Sequence, residues 1–216
     1  MNNEEYTLVI LHGWGHSKNQ WNFFINRFDE GNVVIFDLPG FGEEKLIDQN
    51  WGIPEYSMWA KAKIESLGEK NVVLLGHSFG GRIAGYIASE NPPWLKGLIL
   101  YGSPSLYRPG KKVRFKILVA KFLKGLGFSK KIKDKMYPIF KRVVTFDQTE
   151  NLSKIMAPAL LVWGDRDTEV PLSIAKEMNG LISGSQLIII ENAGHNSHLD
   201  QPDLFYGTIK KFTDGL

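Results

Sequence analysis

The stretch Asn71–Glu90, NVVLLGHSFGGRIAGYIASE, decides the fold. Val72 to Gly76 is an apolar run of strand length. Gly76-His77-Ser78-Phe79-Gly80-Gly81 follows, and then Ile83, Ala84, Ile87 and Ala88 recur at helical spacing. Strand, tight turn with a central serine, then helix is the setting that a G-x-S-x-G nucleophile elbow requires. The glycines have a mechanical reason: a serine on a strained turn needs neighbours without side chains that would collide with the strand or the helix. Ser78 then stands at the carboxyl end of a strand, above a helix N-terminus.

The same alternation runs outward in both directions. Tyr6 to Leu11 reads as a buried strand that enters His12-Gly13-Trp14-Gly15. Trp21, Phe24, Ile25 and Phe28 then predict an amphipathic helix. Val33 to Phe36 is a second strand, closed by the turn-rich Asp37-Leu38-Pro39-Gly40-Phe41-Gly42, and Pro54 to Leu67 a helix. Beyond the elbow, Gly97 to Tyr101, Ala159 to Trp163 and Gln186 to Ile190 read as strands. Leu172 to Leu181 reads as a helix, and Phe205, Ile209 and Phe212 mark one face of a last helix. Strands apolar on both faces that alternate with helices predict an α/β three-layer sandwich, with a mostly parallel sheet of about six strands. Ligands of such sheets bind beyond the carboxyl ends of the strands. The candidate residues Ser78, Asp165, Asp167 and His195 all fall just after a strand.

The totals bound the answer. The 216 residues suffice for a single domain, 1–216, with a substantial core. There are no cysteines, which excludes disulfides, cysteine-ligated zinc and thiol catalysis. No basic stretch followed by an apolar one marks a signal peptide, and no apolar run approaches the roughly 20 residues that span a bilayer. A cytoplasmic protein is expected. The net charge of +3 hides an asymmetry, because residues 105–146 carry thirteen of the 26 Lys and Arg and one acid, Asp134. That segment has two apolar stripes: Phe115, Leu118, Val119, Phe122 and Leu126, then Ile132, Met136, Ile139, Phe140 and Val143, the second interrupted by Pro138. It is expected to form a short, basic helical lid with lysines outward. The bland reading is that these lysines only solvate the lid or balance an acidic body. The functional readings are an acidic carrier protein, an anionic substrate or an anionic membrane surface. Nucleic acid is not expected, since no recognition module accompanies the charge.

A serine hydroxyl attacks only if a base takes its proton, and that base needs a third group to orient it. Of five histidines, His195 in Asn192-Ala193-Gly194-His195 follows the last strand and is the candidate base. The acid falls between serine and histidine in chain order, which leaves Asp165 and Asp167 open. His77 reads as structural, pointing away from Ser78. His198 reads as a surface or pocket residue and Asp37 as a cap of its own loop.

These motifs, in this order, resemble the α/β-hydrolase fold superfamily, in its lid-bearing serine esterase branch. They are His12-Gly13-Trp14-Gly15, the Ser78 elbow, Gly164-x-x-Asp167-x-x-x-Pro171 and Gly194-His195. The resemblance selects Asp167 as the acid. It implies an oxyanion hole made by the backbone N–H groups of Phe79 and Trp14; Trp14 and His12 are the expected substrate-binding residues, with His12 shaping that loop rather than transferring protons. It implies a carboxylic ester hydrolase that works through an acyl-enzyme and needs no metal or cofactor. The two glycine-bearing loops and the basic lid are also similar to bacterial esterases that cleave a pimeloyl–acyl-carrier-protein methyl ester. A carrier-bound ester, carbon–carbon bond hydrolysis or a non-catalytic binding role are the alternatives. One departure is expected: only five residues precede Tyr6, so the hairpin that usually opens this fold is lacking, which leaves an edge at the Val33 strand.

Overall fold

The structure is a computed structural model that describes residues 6–28, 32–46, 48–108 and 130–216, with only the backbone given for Asn32 and for 130–134. Six strands form one sheet: β1 (Thr7–Leu11), β2 (Asn32–Phe36), β3 (Val72–His77), β4 (Leu95–Tyr101), β5 (Ala159–Gly164) and β6 (Gln186–Ile190). Their order is β2-β1-β3-β4-β5-β6 and every neighbouring pair is parallel. Parallel pairing demands a crossover between strands. The crossovers carry α1 (Asn22–Ile25), α2 (Ile53–Glu65), α3 (Phe79–Ser89), α4 (Lys130–Thr145), α5 (Thr149–Leu152) and α6 (Leu172–Leu181), with α7 (Ser197–Asp200) and α8 (Pro202–Thr213) after β6.

Alternation along the strands builds two cores, one on each face of the sheet. Val9, Leu11, Leu74, Leu98 and Leu100 face α2, α3, α4 and α6. Leu8, Ile10, Val73, Leu75 and Ile99 face Trp21, Phe24 and the Phe205-Ile209-Phe212 face of α8. This is the expected three-layer sandwich. The Val33 strand, β2, lies at one edge as the sequence suggested, and β6 lies at the other, where Ile188 and Ile189 stay exposed.

Local chemistry sets most boundaries. Pro54 sits in the first turn of α2, and Glu55 reaches back to accept from the Gly52 N–H at 2.7 Å, one half of a capping box whose other half glycine has no side chain to make. The expected helix over Trp21–Phe28 is shorter than its pattern: a 3₁₀ turn, Lys18–Trp21, then the single turn α1. Arg27 and Phe28 close it with N–H bonds to Phe24 and Ile25 carbonyls, three residues back. The burial pattern is that of the predicted face, since Trp21 and Phe24 are buried, but Asn22 and Asn26 are poor helix formers and the helix does not propagate over the whole pattern. In α4, Met136, Ile139, Phe140 and Val143 are all buried in the first core, each worth about 1.5–3 kcal/mol relative to exposure. The other expected stripe, Phe115 to Leu126, and the side chain of Ile132 lie outside the described residues. Among the described residues, no helix is long and apolar enough to cross a membrane.

Candidate active site

Ser78 stands between β3 and α3 at φ 52°, ψ −108°, a conformation that side chains rarely adopt. The surroundings over-determine it. Its N–H donates to the Tyr101 carbonyl at 2.8 Å. A Cβ at Gly76 would lie 2.4 Å from the Gly80 carbonyl oxygen, and one at Gly80 would lie 2.1 Å from that of Leu11, so only glycine lets β1, β3 and α3 approach this closely. The Gly80 N–H also donates to the His12 carbonyl at 3.1 Å, which locks the start of α3 to the loop after β1.

That loop is held from its other side by His12. Its ring is fully buried, Nδ1–H donates to the Gly13 carbonyl at 2.8 Å, and Nε2 accepts from the Leu38 N–H at 2.9 Å. Both nitrogens are thus engaged by backbone, and burial pushes the pKa down to about 4, so the ring is a neutral strut. Asp37 beside it accepts from the N–H groups of Lys18 (2.7 Å) and Glu43 (2.9 Å), which is the loop-capping role read from the sequence. Trp14, half-buried, meets the rings of Phe41 and Phe79 at 5.0 Å and of Phe140 at 5.2 Å, each edge-to-face. The first loop, the elbow and α4 therefore share one aromatic wall.

His195 follows β6. Its Nδ1 lies 2.8 Å from Oδ2 of Asp167, whose other oxygen accepts from the N–H groups of Glu169 and Val170, both at 2.8 Å. A carboxylate only accepts, so Nδ1 carries the hydrogen and Nε2 presents its lone pair. Of the two acids left open by the sequence, Asp167 is the one that meets the imidazole. Asp165 instead accepts from the Ala193 N–H at 3.2 Å, steadying the loop that carries His195. The Asp167–His195 pair packs on the turn that follows Tyr101: a Cβ at Gly102 would lie 3.1 Å from the His195 ring. The elbow and the pair thus meet on the same turn at the carboxyl ends of the strands, where α/β sheets hold their ligands.

Three features were not legible in the sequence. His198, read as a surface or pocket residue, is 2% exposed and stacks on Trp21 at 4.5 Å; burial pushes its pKa down to about 3. Its place between α7 and the second core depends on a packing that spacing does not reveal. Arg82 is 1% exposed on α3. Its two terminal nitrogens donate to the carbonyls of Pro104 and Phe146, and Gln148 Nε2 donates to its own carbonyl at 2.8 Å. Burial lowers its pKa to about 9, against the pull of Asp147. An arginine on an otherwise apolar helix face was the available signal. Glu169 places a carboxylate oxygen 3.9 Å from Nε2 of His195.

The strained Ser78 turn and the Asp167–His195 pair thus lie at the carboxyl edge of one parallel sheet. The family model of the alpha/beta hydrolase family matches residues 8–208, and the chain belongs to that family. It is 27% identical over 250 residues to the pimeloyl-[acyl-carrier protein] methyl ester esterase of Proteus mirabilis, which covers 97% of this chain and 93% of that protein. It is 26% identical over 245 residues to the biotin biosynthesis bifunctional protein BioHC of Teredinibacter turnerae; 90% of this chain aligns, but with only 42% of that longer protein. Among solved structures, MGS-M2, an alpha/beta hydrolase from a Medee basin deep-sea metagenome library, superposes with a TM-score of 0.85 at 20% identity, covering 98% of this chain and 90% of that one.

Proposed function

We propose that this chain is a serine hydrolase that cleaves carboxylic esters through an acyl-enzyme. The observation that carries the reading is the 2.8 Å Asp167–His195 bond on the turn beside the Ser78 elbow. Ser78 Oγ attacks the ester carbonyl while Nε2 of His195 takes its proton, and Asp167 stabilises the imidazolium and fixes the tautomer. The backbone N–H groups of Trp14 and Phe79 receive the developing oxyanion, an interaction whose loss typically costs about 10²–10³ in rate. The imidazolium then gives its proton to the departing alkoxide, and water repeats the sequence to release the acid. In this reading Trp14 lines the acyl side with Phe41, Phe79 and Phe140, whereas His12 contributes by holding the loop. α4, the described helix of the basic segment, covers the site, a role supported by the contact of Phe140 with Trp14.

The finer substrate reading is an ester borne on an acidic carrier protein. It is supported by the Proteus mirabilis relative, whose name specifies a methyl ester on an acyl-carrier protein, and by the basic balance of 105–146, which suits an acidic partner. Hydrolysis of p-nitrophenyl esters of increasing acyl length, beside Ser78→Ala, tests the reaction. Turnover that disappears in the variant is expected; turnover that survives it would remove Ser78 from the mechanism. Neutralising Lys111, Lys112, Arg114 and Lys116 tests the carrier. A carrier-bound ester should then be cleaved more slowly and a free ester equally fast, and equal rates on both would reject the carrier.

A further inference from the structure

His77, the residue that precedes Ser78, is fully buried, and its side chain does not reach toward the elbow. Its Nε2 lies 3.1 Å from the backbone carbonyl of His195, and its ring stands 4.9 Å from the His195 ring. A carbonyl oxygen only accepts, so Nε2 carries the hydrogen and donates. Three contacts leave the ring no other pose. Tyr101 stacks on it at 4.4 Å and 24°, Trp21 meets it edge-on at 6.2 Å, and Gly13 closes over Nδ1, where a Cβ would stand 3.0 Å away. Burial, with His195, His198 and His16 nearby, holds its pKa well below the ordinary value, so the ring keeps one hydrogen and one direction.

We infer that His77 is a positioning residue of the proposed reaction: its Nε2–H fixes the backbone of His195, so the nucleophile's neighbour in the chain sets where the base stands. The inference rests on the reading of Ser78 and His195 as nucleophile and base. Tyr101 then stands behind both partners of the proton transfer. Ser78 is held through its N–H on the Tyr101 carbonyl, and His195 through the ring that stacks on Tyr101. Without that bond the base keeps its acid, because Asp167 holds the imidazole independently, but loses its registration against the serine. The inference therefore concerns turnover rather than substrate affinity.

Three variants test it on the full chain. The Gln amide nitrogen reproduces the reach of Nε2, the Asn nitrogen that of Nδ1, and Phe keeps the ring without a donor. We expect His77→Gln to stay within about threefold of the wild-type kcat for a p-nitrophenyl ester. His77→Asn and His77→Phe should lose about 10–100-fold in kcat with KM within twofold, since a misplacement on the order of 1 Å costs that much. Fluorophosphonate labelling of Ser78 should slow in the same order, and thermal unfolding identifies any variant that merely fails to fold. If His77→Phe folds and keeps the wild-type kcat, or if Gln and Asn lose activity equally, the inference is overturned. A wild-type protein that is neither labelled nor active on any ester overturns the parent reading, and this one with it.

Discussion

Glu169 Oε2 lies 3.9 Å from Nε2 of His195, while Asp167 occupies the opposite nitrogen at 2.8 Å. The imidazole is thus flanked by two carboxylates of different standing. The Asp167 side chain is 1% exposed and fully engaged; that of Glu169 is 40% exposed. A half-exposed charge is screened, and is worth about 0.5–1 kcal/mol rather than the much larger figure of a dry pair. Glu169→Gln is therefore expected to raise kcat/KM for an ester with an anionic alcohol group by about twofold to fivefold. It should lower kcat/KM for one with a quaternary ammonium group and leave a neutral ester unchanged. Parallel kinetics on the three esters measure this, and an equal change on all three would show that the charge is not what acts.

Asp165 and Asp167 stand two residues apart and do different things, and substitution should separate them. Asp167→Asn keeps the shape but offers an N–H where a carboxylate accepts, favouring the wrong imidazole tautomer, and should lower kcat by about 10³–10⁴. Asp165→Asn can still accept from the Ala193 N–H and should cost no more than about fivefold. Steady-state kinetics on one ester suffice. A larger loss at Asp165 would reverse the assignment.

His12, His77 and His198 all have pKa values lowered by burial: to about 4 at His12, to about 3 at His198, and well below the ordinary range at His77. An unfolded histidine takes its proton near pH 6.5, so below that the unfolded chain binds more protons than the native one. Stability is then complete above about pH 6.5 and falls with acidification toward pH 4, by up to about 1.4 kcal/mol per pH unit for each such histidine. Urea midpoints at pH 7, 6 and 5 check the slope. His198→Phe, which keeps a ring against Trp21, should flatten it; an unchanged slope would exclude His198 as a contributor.

Arg82 donates from the interior to two main-chain carbonyls. Arg82→Met fills most of the volume but leaves the carbonyls of Pro104 and Phe146 without that donor. A hydrogen bond to a charged group is worth about 1.5–3 kcal/mol, so a loss of about 2–4 kcal/mol is expected after the relief of desolvation. Chemical denaturation measures it. A variant more stable than the wild type would mean that burying the guanidinium costs more than its bonds return.

The layered fold was legible because it rests on local pattern. Leu172–Leu181 and Gln186–Ile190 have the bounds that their apolar spacing predicts, and the glycines around Ser78 announce a close approach that the backbone confirms. The Trp21–Phe28 segment shows the limit: the pattern identified the buried face, but length depends on propensity, and Asn26 caps the helix after a single turn. The site was legible in part. Order along the chain brought forward Ser78 and His195, and the geometry pairs His195 with Asp167 rather than Asp165. The partners of His77, Glu169 and Arg82 could not be read, because the atoms they touch lie tens of residues away: 118 from His77 to His195, and 22 and 64 from Arg82 to Pro104 and Phe146. No periodicity records a hydrogen bond to a distant carbonyl.

The double grip of Arg82 has one more consequence. Pro104 and Phe146 bracket the basic segment, and a single guanidinium on the helix behind Ser78 gathers both. The Gln148 N–H on the Ser105 carbonyl and the Tyr107 N–H on Asp147 add further stitches at the same place. A segment that leaves and returns at one stitched point is thermodynamically a closed loop on a fixed base, and the cost of lengthening such a loop grows only with the logarithm of its length. The seam therefore works as a socket. What stands between its two ends can change in length at little entropic cost, so long as the α4 face that packs on the core and on Trp14 is kept.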